Sequence, residues 1–562
     1  MITVPRSGFS NQKLQAAFIA TIAEGLHASL ASDGDKWALR YRVMGSPFAG
    51  PFSFDHHPWT RDMHKSKAAK NVGKKAAQMG YSETMLNVTF HALDQMHQDV
   101  LYVLPNTKPD ATDFSAARFD TALEASKYIA RMFSNVKNVG HKRAGMNNLY
   151  IRGSRSRSAM KSIPAGVVIL DEFEEFAEGV LPLVTERMSG QLLTMLWLIS
   201  TPMVPNAGID KEYNLSDQRH FMFKCPRCSR STELIFPDCL VVTAESITDP
   251  KIKGSHLICK ECKGMLEHKE KVEFLRDGWW EPMNSDSEIA GFYINQLYSM
   301  AKAGQPVELA MAYLKSLIDA ADEQEFWNSK MGMAHIVANA AVTDEHINGA
   351  LRDYVMGDPR YVNQDYITTM GIDVGGDCHY EIVQYMINKA VPSTDINFMA
   401  KARVLKVGKI KEFEDAIPLI IHYKPAKIVI DDMPDTRAAL KFARQFPQGL
   451  VSLCHYGQNA NAREILDYGE RITVNRTVWL DQSLGRFING SIYIPKDIPQ
   501  EYKNHVKALV RVYAKDAKGE TQSFYKAAGR DHFGHARNYA EIALPLAFKR
   551  GTAIINMTEK VV

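Results

Sequence analysis

The 562-residue sequence lacks any run of about 18 apolar residues, the length that a membrane-spanning helix requires, so we expect no membrane span. Its start, MITVPRSGFS, lacks the apolar core of a secretory signal. Internal repeats and low-complexity tracts are also missing. The formal net charge is only +3, so nucleic-acid binding has to depend on local basic patches. At 45% hydrophobic and 23% charged residues, the composition is that of a soluble globular protein.

Cysteine is scarce, and its distribution is informative. Four of the seven cysteines form two Cys-x-x-Cys pairs, which favours a reducing compartment and a metal site over disulfides. Four thiolates at this spacing predict a closed, structural Zn²⁺ site, whose ligands would be Cys225, Cys228, Cys259 and Cys262. The other three are expected to be lone buried cysteines: Cys239, Cys378 and Cys454. Basic residues around the pairs make a DNA or subunit contact one interpretation and an ordinary solvated face the other.

The length of the chain and its pattern of apolar runs together predict several domains. Short apolar runs at 101–105, 166–172 and 196–202 are typical of buried parallel strands that alternate with helices. The prediction is an N-terminal segment (1–60), an α/β domain (61–355) with a cysteine-bearing insertion (215–285), a linker (356–365) and a second α/β domain (366–562).

The stretch KKAAQMGYSET at 74–84 is similar to a phosphate-binding loop, but one residue is out of place. Such loops end in Gly-Lys-Ser/Thr, with the Lys reaching the terminal phosphates and the hydroxyl holding Mg²⁺. Here Gly80 and Ser82 occupy the outer positions and Tyr81 stands between them. Either the loop does not bind phosphate, or the cation comes from elsewhere. The preceding residues, HKSKAAKNVG, are too polar to predict a buried strand.

Two later strands end in residues suited to ATP hydrolysis. GVVILDE ends in Asp171 and Glu172, where an Asp can hold Mg²⁺ and a Glu can polarise the attacking water. LWLISTP ends in Ser200 and Thr201, whose hydroxyls can sense the terminal phosphate. Each motif alone also fits an ordinary strand end or turn. The order of loop, acidic strand and hydroxyl strand favours one nucleotide-binding sheet.

A second set of carboxylates follows in the C-terminal half. ITTMGIDVGGD is a strand ending in Asp373, and KIVIDDMPDT is a strand ending in Asp431 and Asp432. GRDHFGHARNYA begins a late helix with Asp531, His532 and His535. Such a trio predicts an RNase H-like nuclease in which carboxylates hold two Mg²⁺ or Mn²⁺ ions. Because side chains alternate along a strand, Asp431 or Asp432 faces the site but not both, and we favour Asp431.

The motifs at 74–87, 101–120, 167–176 and 199–228, continued by GFYINQLYS at 291–299, resemble the large terminase subunit of tailed bacteriophages, in its lambda-type branch. The likeness covers most of residues 60–350 and is weaker beyond. It implies a phosphate-loop ATPase with a mostly parallel sheet and a zinc-ribbon-like insertion, followed by an RNase H-like nuclease domain. In that branch the loop Lys lies five residues before the Gly. The displaced cation would therefore be Lys75, with Lys74 as the alternative.

The resemblance also bears on other site residues. Glu172 would be catalytic. The nucleotide would be bound by seven residues: Lys75, Gly80, Tyr81, Ser82, Asp171, Ser200 and Thr201. In the nuclease, His535 occupies the position of the family's late acid, so the third metal ligand is either Asp531, which we favour, or His535. Asp377 could support the first metal. The family's catalytic arginine has four candidates: Arg118, Arg155, Arg157 and Arg187.

The resemblance implies an ATP-driven motor that moves double-stranded DNA into a procapsid and cuts concatemers. Its partners would be DNA phosphates, the small terminase subunit and the portal, in a ring that the family suggests has about five copies. It would act in the host cytoplasm and transiently at the portal vertex, outside the mature virion. Two rivals stay open: a helicase or restriction-type ATPase-nuclease, and a zinc-bearing DNA-binding scaffold with decayed catalytic sites.

Overall fold

The computed structural model describes residues 33–46, 49–133, 136–156, 160–161, 163–177, 179–363, 365–388, 395–457, 464–516 and 518–558. The chain divides into two units, Met1–His335 and Ile336–Val562. The division falls before the predicted linker at 356–365, because Val342, Ile347 and Ala350 belong to a core of the second unit. Among the described residues, no helix combines the length and the apolar character needed to cross a membrane.

The described part of the first unit contains these strands: β1 (Val43–Met44), β2 (Gly50–Pro51), β3 (Lys70–Lys75), β4 (Val100–Leu104), β5 (Val136–Asn138), β6 (His141–Ala144), β7 (Asn147–Gly153), β8 (Val167–Asp171), β9 (Met195–Ser200), β10 (Arg219–Lys224), β11 (Ser231–Thr232), β12 (Leu240–Val241), β13 (His256–Ile258), β14 (Met265–Leu266), β15 (Trp279–Glu281) and β16 (Ala290–Ile294). Its described α-helices are α1 (Gly34–Tyr41), α2 (Arg61–Lys65), α3 (Tyr81–Asp94), α4 (Thr121–Ala125), α5 (Lys127–Met132), α6 (Val180–Met188), α7 (Gly208–Asn214), α8 (Lys271–Leu275), α9 (Pro306–Ser316) and α10 (Ala320–Glu325).

The main sheet of the first unit runs β11-β10-β16-β3-β9-β8-β4-β7-β6-β5, and β15 also pairs with β10. The strands from β10 to β7 in this order are parallel to their neighbours. Strands β4 and β8 are buried along their whole length, as their continuous apolar runs predict. Parallel strands end at one edge, so this sheet brings the ends of β3, β8 and β9 together.

The expectation that the polar segment before the loop is not a buried strand is wrong. Residues Lys70–Lys75 form β3, which lies between β16 and β9 in the middle of the sheet. Its polar side chains have partners there: Lys70 pairs with Glu212 at 2.6 Å, and the Asn71 amide donates to Ala68 O at 2.9 Å. Partnered polar groups make this central position tolerable.

The described part of the second unit contains these strands: β17 (Leu351–Arg352), β18 (Ile367–Asp373), β19 (Cys378–Ile387), β20 (Ala400–Ile410), β21 (Lys427–Asp431), β22 (Val451–Tyr456), β23 (Leu466–Asp467), β24 (Arg471–Val474), β25 (Ile492–Pro495), β26 (Leu509–Lys515) and β27 (Thr521–Ala527). Its described α-helices are α11 (Asp344–Ala350), α12 (Ile396–Met399), α13 (Ile417–Tyr423), α14 (Thr436–Ala443), α15 (Arg476–Ile488), α16 (Gln500–Lys507) and α17 (His532–Thr558).

The main sheet of the second unit runs β17-β25-β20-β19-β18-β21-β22-β24-β23. An antiparallel meander, β18 to β20, adjoins the parallel strands β21, β22 and β24. This mixed order is the predicted RNase H-like arrangement. Helix α17 lies against β18 so closely that a Cβ on Gly371 would stand 2.1 Å from Ala536 O. Glycine at 371 therefore sets how near the helix, with its candidate site residues, approaches the strand.

A buried ionic network fixes α17 on the sheet. Arg537 pairs with Glu381 at 2.8 Å and with Glu541, and Arg486 pairs with Glu541 at 2.6 Å. All four side chains are at most 1% exposed. Burial opposes the charge of Glu541, but the two arginines outweigh it and lower its pKa to about 2. Breaking one pair would leave an uncompensated buried charge.

We expect Arg537→Met to destabilise the second unit by about 3–5 kcal/mol, since Glu381 and Glu541 lose their shared partner. Hydrogen exchange of β18 and α17 amides in the full-length chain measures this opening. Lys496→Ala, which removes an exposed pair with Asp353, is the control and should leave exchange unchanged. Unaltered protection in Arg537→Met would show that the network does not hold the helix.

Candidate nucleotide and metal sites

Alternation along β3 separates the two candidate lysines. Lys75 is 5% exposed, and its Nζ lies 3.5 Å from both Glu172 Oε1 and Thr201 Oγ1. Lys74 points to the opposite face, where its Nζ pairs with Asp210 at 2.7 Å and lies 4.8 Å from the centre of the Tyr213 ring. The structure therefore brings Lys75, and not Lys74, to the ends of β8 and β9.

The loop after β3 is held by its surroundings. The Ala76 and Ala77 N–H groups donate to Ile294 O and Ser329 O, each at 2.8 Å, and Trp59 Nε1 donates to Met79 O at 2.9 Å. Gly80 then takes a φ of +82° and α3 begins at the next residue. First-turn N–H groups of a helix have no intrahelical acceptor and favour anions. Such a preformed loop could hold phosphates.

The structure shows why Tyr81 stands where a Lys is usual. Its side chain is 1% exposed, and its hydroxyl donates to Phe292 O at 3.4 Å. The ring packs against Gly73, where an added Cβ would lie 2.8 Å from it. The Tyr81 side chain therefore belongs to the core. A nucleotide contact of this residue would be made by its backbone N–H, which lies at the start of α3.

Asp171 lies where a magnesium ligand is expected. The Ser82 hydroxyl donates to its Oδ1 at 3.3 Å, and the Tyr102 hydroxyl donates to its Oδ2 at 2.6 Å. Burial and then the charge of Glu172 raise the pKa of Asp171, which a nearby cation would offset. Tyr102 was not predicted as a site residue, because an aromatic within an apolar strand gives no sign of where its hydroxyl points.

Glu172 has a strained backbone, with a φ of 59°. A non-glycine residue in the left-handed region is uncommon and concentrates at functional sites. Its Oε2 accepts from the Ser200 hydroxyl at 3.5 Å, and Ser200 Oγ in turn accepts the Glu174 N–H at 3.1 Å. The structure thus connects the acidic strand to the hydroxyl strand, as the sequence order predicts.

A cavity of about 650 Å³ adjoins Glu172 and is lined by Arg118 and Arg155, both exposed. These two candidate arginines therefore lie near the edge of the sheet where β8 ends. Arg187 instead donates to Lys161 O on an exposed part of the surface. Arg157 lies outside the described residues.

The four paired cysteines meet in one cluster. The sulfur atoms of Cys225, Cys228, Cys259 and Cys262 all lie within 4.8 Å of one another. The small sheet β12-β13-β14 carries the second pair, which follows β13, and the first pair follows β10. The three remaining cysteines are buried, as predicted.

The two cysteine turns repeat the same geometry. Arg227 N–H donates to Cys225 Sγ and Glu261 N–H donates to Cys259 Sγ, each at 3.3 Å. The residue after each second cysteine has a positive φ, 60° at Ser229 and 58° at Lys263. Turns that aim N–H groups at sulfur stabilise thiolates, so the donor set fits a tetrahedral Zn²⁺.

Some of the basic residues around the cluster form ion pairs within the unit. Arg227 pairs with Glu270 and Lys260 with Glu233, each at 2.9 Å. This pairing favours the solvated-face interpretation over a DNA contact at this surface.

The carboxylates of the second unit gather where β18 and β21 end. The two strands are parallel neighbours with Ile372 opposite Ile430, so Asp373 and Asp431 are adjacent in register. Burial, followed by the charges of Asp373 and Asp432, raises the pKa of Asp431 to about 6. Asp432 lies 3.3 Å from His455 Nδ1 instead. Neighbouring carboxylates whose negative charges raise one another's pKa are typical of a site for divalent cations.

Asp531 and His535 contact each other at the start of α17. Asp531 Oδ2 lies 3.2 Å from His535 Nε2, and His535 Nδ1 lies 3.1 Å from the Tyr456 hydroxyl. Burial opposes ionisation of Asp531, but the bond and charge of His535 outweigh it and lower its pKa. His532, not assigned from sequence, has Nδ1 2.9 Å from Asp373 Oδ2. Asp377 lies exposed in the turn after Asp373.

Comparison with known proteins shows which family and which solved structures this chain is similar to. Residues 46–280 match the family model described as phage terminase large subunit gpA, ATPase domain. No protein of curated function matches the chain. The HK97 bacteriophage large terminase is similar in fold, with a TM-score of 0.50 and 9% identity over 91% of this chain and 99% of that one.

Two looser structural matches are to phages of hot environments. The large terminase of a thermophilic bacteriophage gives a TM-score of 0.30 at 10% identity over 87% of this chain and 98% of its own. The ATPase domain of the Thermus phage P74-26 large terminase gives 0.31 at 13% identity over 53% and 100%. With TM-scores this low, these two matches carry no argument about the fold or function of this chain.

Proposed function

We propose that this chain is a large subunit of a phage terminase, since the ATPase-domain model of that family matches residues 46–280, and that it works as an ATP-driven motor that packages double-stranded DNA and cuts it. ATP is the nucleotide of this ATPase domain. The proposal is carried by the position of Lys75: a buried amine at the loop, beside Glu172 and Thr201, on the edge where Ser82 meets Asp171.

Each residue at this edge has a distinct part in hydrolysis. Lys75 neutralises the terminal phosphates in place of the missing loop lysine, and the N–H groups of α3 bind phosphate oxygens. Ser82 and Asp171 would hold Mg²⁺, which supplies charge neutralisation when bound. Glu172, which contacts Lys75, orients and polarises the attacking water. Ser200 and Thr201 report the loss of the terminal phosphate.

The motor's DNA contacts would be with phosphates, because a packaging enzyme has to pass any sequence. Site choice would then belong to the small terminase subunit, and docking to the portal of the procapsid. A homo-oligomeric ring in the host cytoplasm, bound transiently at the portal vertex, is the working form that we propose.

The second unit would cut the DNA. Asp373, Asp431 and Asp531 would hold Mg²⁺ or Mn²⁺, which activates water and stabilises the leaving oxygen. His535 holds Asp531 through its 3.2 Å contact and so positions it, and Asp432 lies beside His455. The RNase H-like sheet supports this assignment, since it brings the ends of β18 and β21 together.

The cysteine cluster would bind one Zn²⁺ per chain as a closed structural site. Its position supports this, because one pair follows β10 and the other follows β13, so the zinc would tie the small sheet β12-β13-β14 to a strand of the main sheet.

Lys75→Ala is expected to lower ATP turnover by about 10²–10³-fold, the loss seen when one preorganised charge-stabilising group is removed. Lys74→Ala is the matched control: it removes an adjacent amine, 12% exposed, whose partner is Asp210, and most turnover should remain. Phosphate release by the full-length chain with DNA measures both, and thermal unfolding checks that each variant is folded. Equal turnover in Lys75→Ala and wild type would contradict the assignment.

Asp431→Asn should reduce metal-dependent cutting of plasmid DNA to background while ATP turnover stays at the wild-type level. Asp432→Asn changes the next residue, which faces His455, and should retain cutting. Gel analysis of supercoiled, nicked and linear plasmid follows the reaction. If Asp432→Asn lost cutting and Asp431→Asn kept it, the strand-face assignment would be reversed.

Cys228→Ser and Cys262→Ser are each expected to lower the zinc content from one ion per chain towards zero, since three thiolates do not close the site. Elemental analysis of the full-length chain gives the content. Cys239→Ser, at a buried cysteine outside the cluster, should keep its zinc. A wild-type chain that contains no zinc after metal-replete expression would refute the site.

A further inference from the structure

We propose that Asp373, His379 and His532 form a two-histidine, one-carboxylate site for a divalent transition metal ion, so that one metal position of the second unit binds Mn²⁺ in preference to Mg²⁺. This inference rests on the proposed nuclease site only through Asp373, which belongs to both sets of ligands. It adds two nitrogen ligands to a centre for which sequence predicts carboxylates and, at most, His535.

The hairpin of β18 and β19 places the first two ligands side by side. Asp373 and His379 are direct partners in the antiparallel register, so their side chains project from the same face of the sheet. Helix α17 begins over this face with His532, whose Nδ1 is 2.9 Å from Asp373 Oδ2. Ligand atoms from all three residues lie within 4.8 Å of one another.

The ring geometry suits a shared ion. The His379 and His532 rings stack with centres 4.7 Å apart and planes 16° from parallel. Bonds of about 2.0–2.2 Å to a central ion put its ligand atoms roughly 3–4.4 Å apart. Small rotations of the two rings would therefore let the ligand atoms of all three residues bind one ion.

His379 itself is unsatisfied. It is 5% exposed, and within the described part of the chain neither ring nitrogen has a hydrogen-bond partner. A buried imidazole without partners is destabilising, and a cluster of ligating atoms beside it indicates what would satisfy it. The His379 ring also makes an edge contact with Phe533, at 4.7 Å between centres. An apolar ring would make that contact equally well, so packing does not explain why a histidine stands here.

The donor set selects the class of ion. Imidazole nitrogen suits Fe²⁺, Ni²⁺, Cu²⁺ and Zn²⁺ best, whereas Mg²⁺ binds oxygen ligands almost entirely. Mn²⁺ favours oxygen ligands too but, as a transition-metal ion, accepts imidazole more readily than Mg²⁺ does, so it is the ion that separates a mixed nitrogen and oxygen site from a Mg²⁺ site. Two nitrogens and one carboxylate match the facial arrangement of such transition-metal sites. Asp431, next to Asp373 in register, leaves an oxygen-rich position on the other side of the same carboxylate.

The experiment uses the full-length, nucleotide-free chain and Mn²⁺ as the probe. Titration in excess Mg²⁺ is followed by the loss of the free-Mn²⁺ EPR signal, and ¹⁵N-histidine labelling tests for direct nitrogen coupling to the bound ion. We expect tight Mn²⁺ binding with histidine coupling. His379→Asn should weaken the affinity by at least about tenfold, the smaller loss known for outer partners of metal ligands.

Two further variants make the result decisive. His532→Asn tests the same site at a side chain that is 39% exposed, so we expect this variant to fold. His505→Asn is the matched control, since His505 is buried in the same cluster, 5.6 Å from the His379 ring, but contributes no ligand to the group. Its Mn²⁺ affinity and coupling should equal those of the wild type.

Bound Mn²⁺ without histidine coupling, or unchanged affinity in both His379→Asn and His532→Asn, would overturn the inference. Failure of the nuclease proposal looks different: histidine-coupled Mn²⁺ would persist in a chain that does not cut DNA.

Discussion

The first unit depends on one constraint of parallel sheets: neighbouring strands end at the same edge, and successive side chains of a strand face opposite sides. At β3 this alternation decides the chemistry, because Lys75 reaches Glu172 and Lys74 pairs with Asp210 on the other side. The position after Gly80 is then free to hold Tyr81, which packs under the strand. A displaced lysine and a buried tyrosine are thus two parts of one arrangement.

That arrangement weakens the idea of a decayed scaffold. Tyr81 in place of the usual loop lysine would favour such a scaffold if no other cation were near, but the structure provides the buried amine of Lys75 in the same neighbourhood. His535, which occupies the position of the family's late acid, does not leave the site without a carboxylate, because Asp531 lies 3.2 Å from it. A helicase would need motifs that bind single strands after the hydroxyl strand, and this chain has its cysteine-bearing insertion there.

Residue pattern predicted much of the fold. The strands around Asp171 and Ser200 follow from apolar runs, and the cysteine cluster follows from spacing alone. The polar strand β3 was missed because its stability comes from distant partners such as Glu212, which local composition does not show. His379 was missed because its pairing with Asp373 depends on the hairpin register, although the glycine turn between them was a usable signal.

The account rests on an amine that approaches the nucleotide from the strand before the loop, and a structure of the chain with a non-hydrolysable ATP analogue and Mg²⁺ tests it most directly. The prediction is that Lys75 Nζ leaves Glu172 and lies about 2.7–3.2 Å from oxygens of the β- and γ-phosphates, with Lys74 still paired to Asp210. An occupied pocket in which Lys75 stays on Glu172 while another cation contacts those phosphates would contradict it.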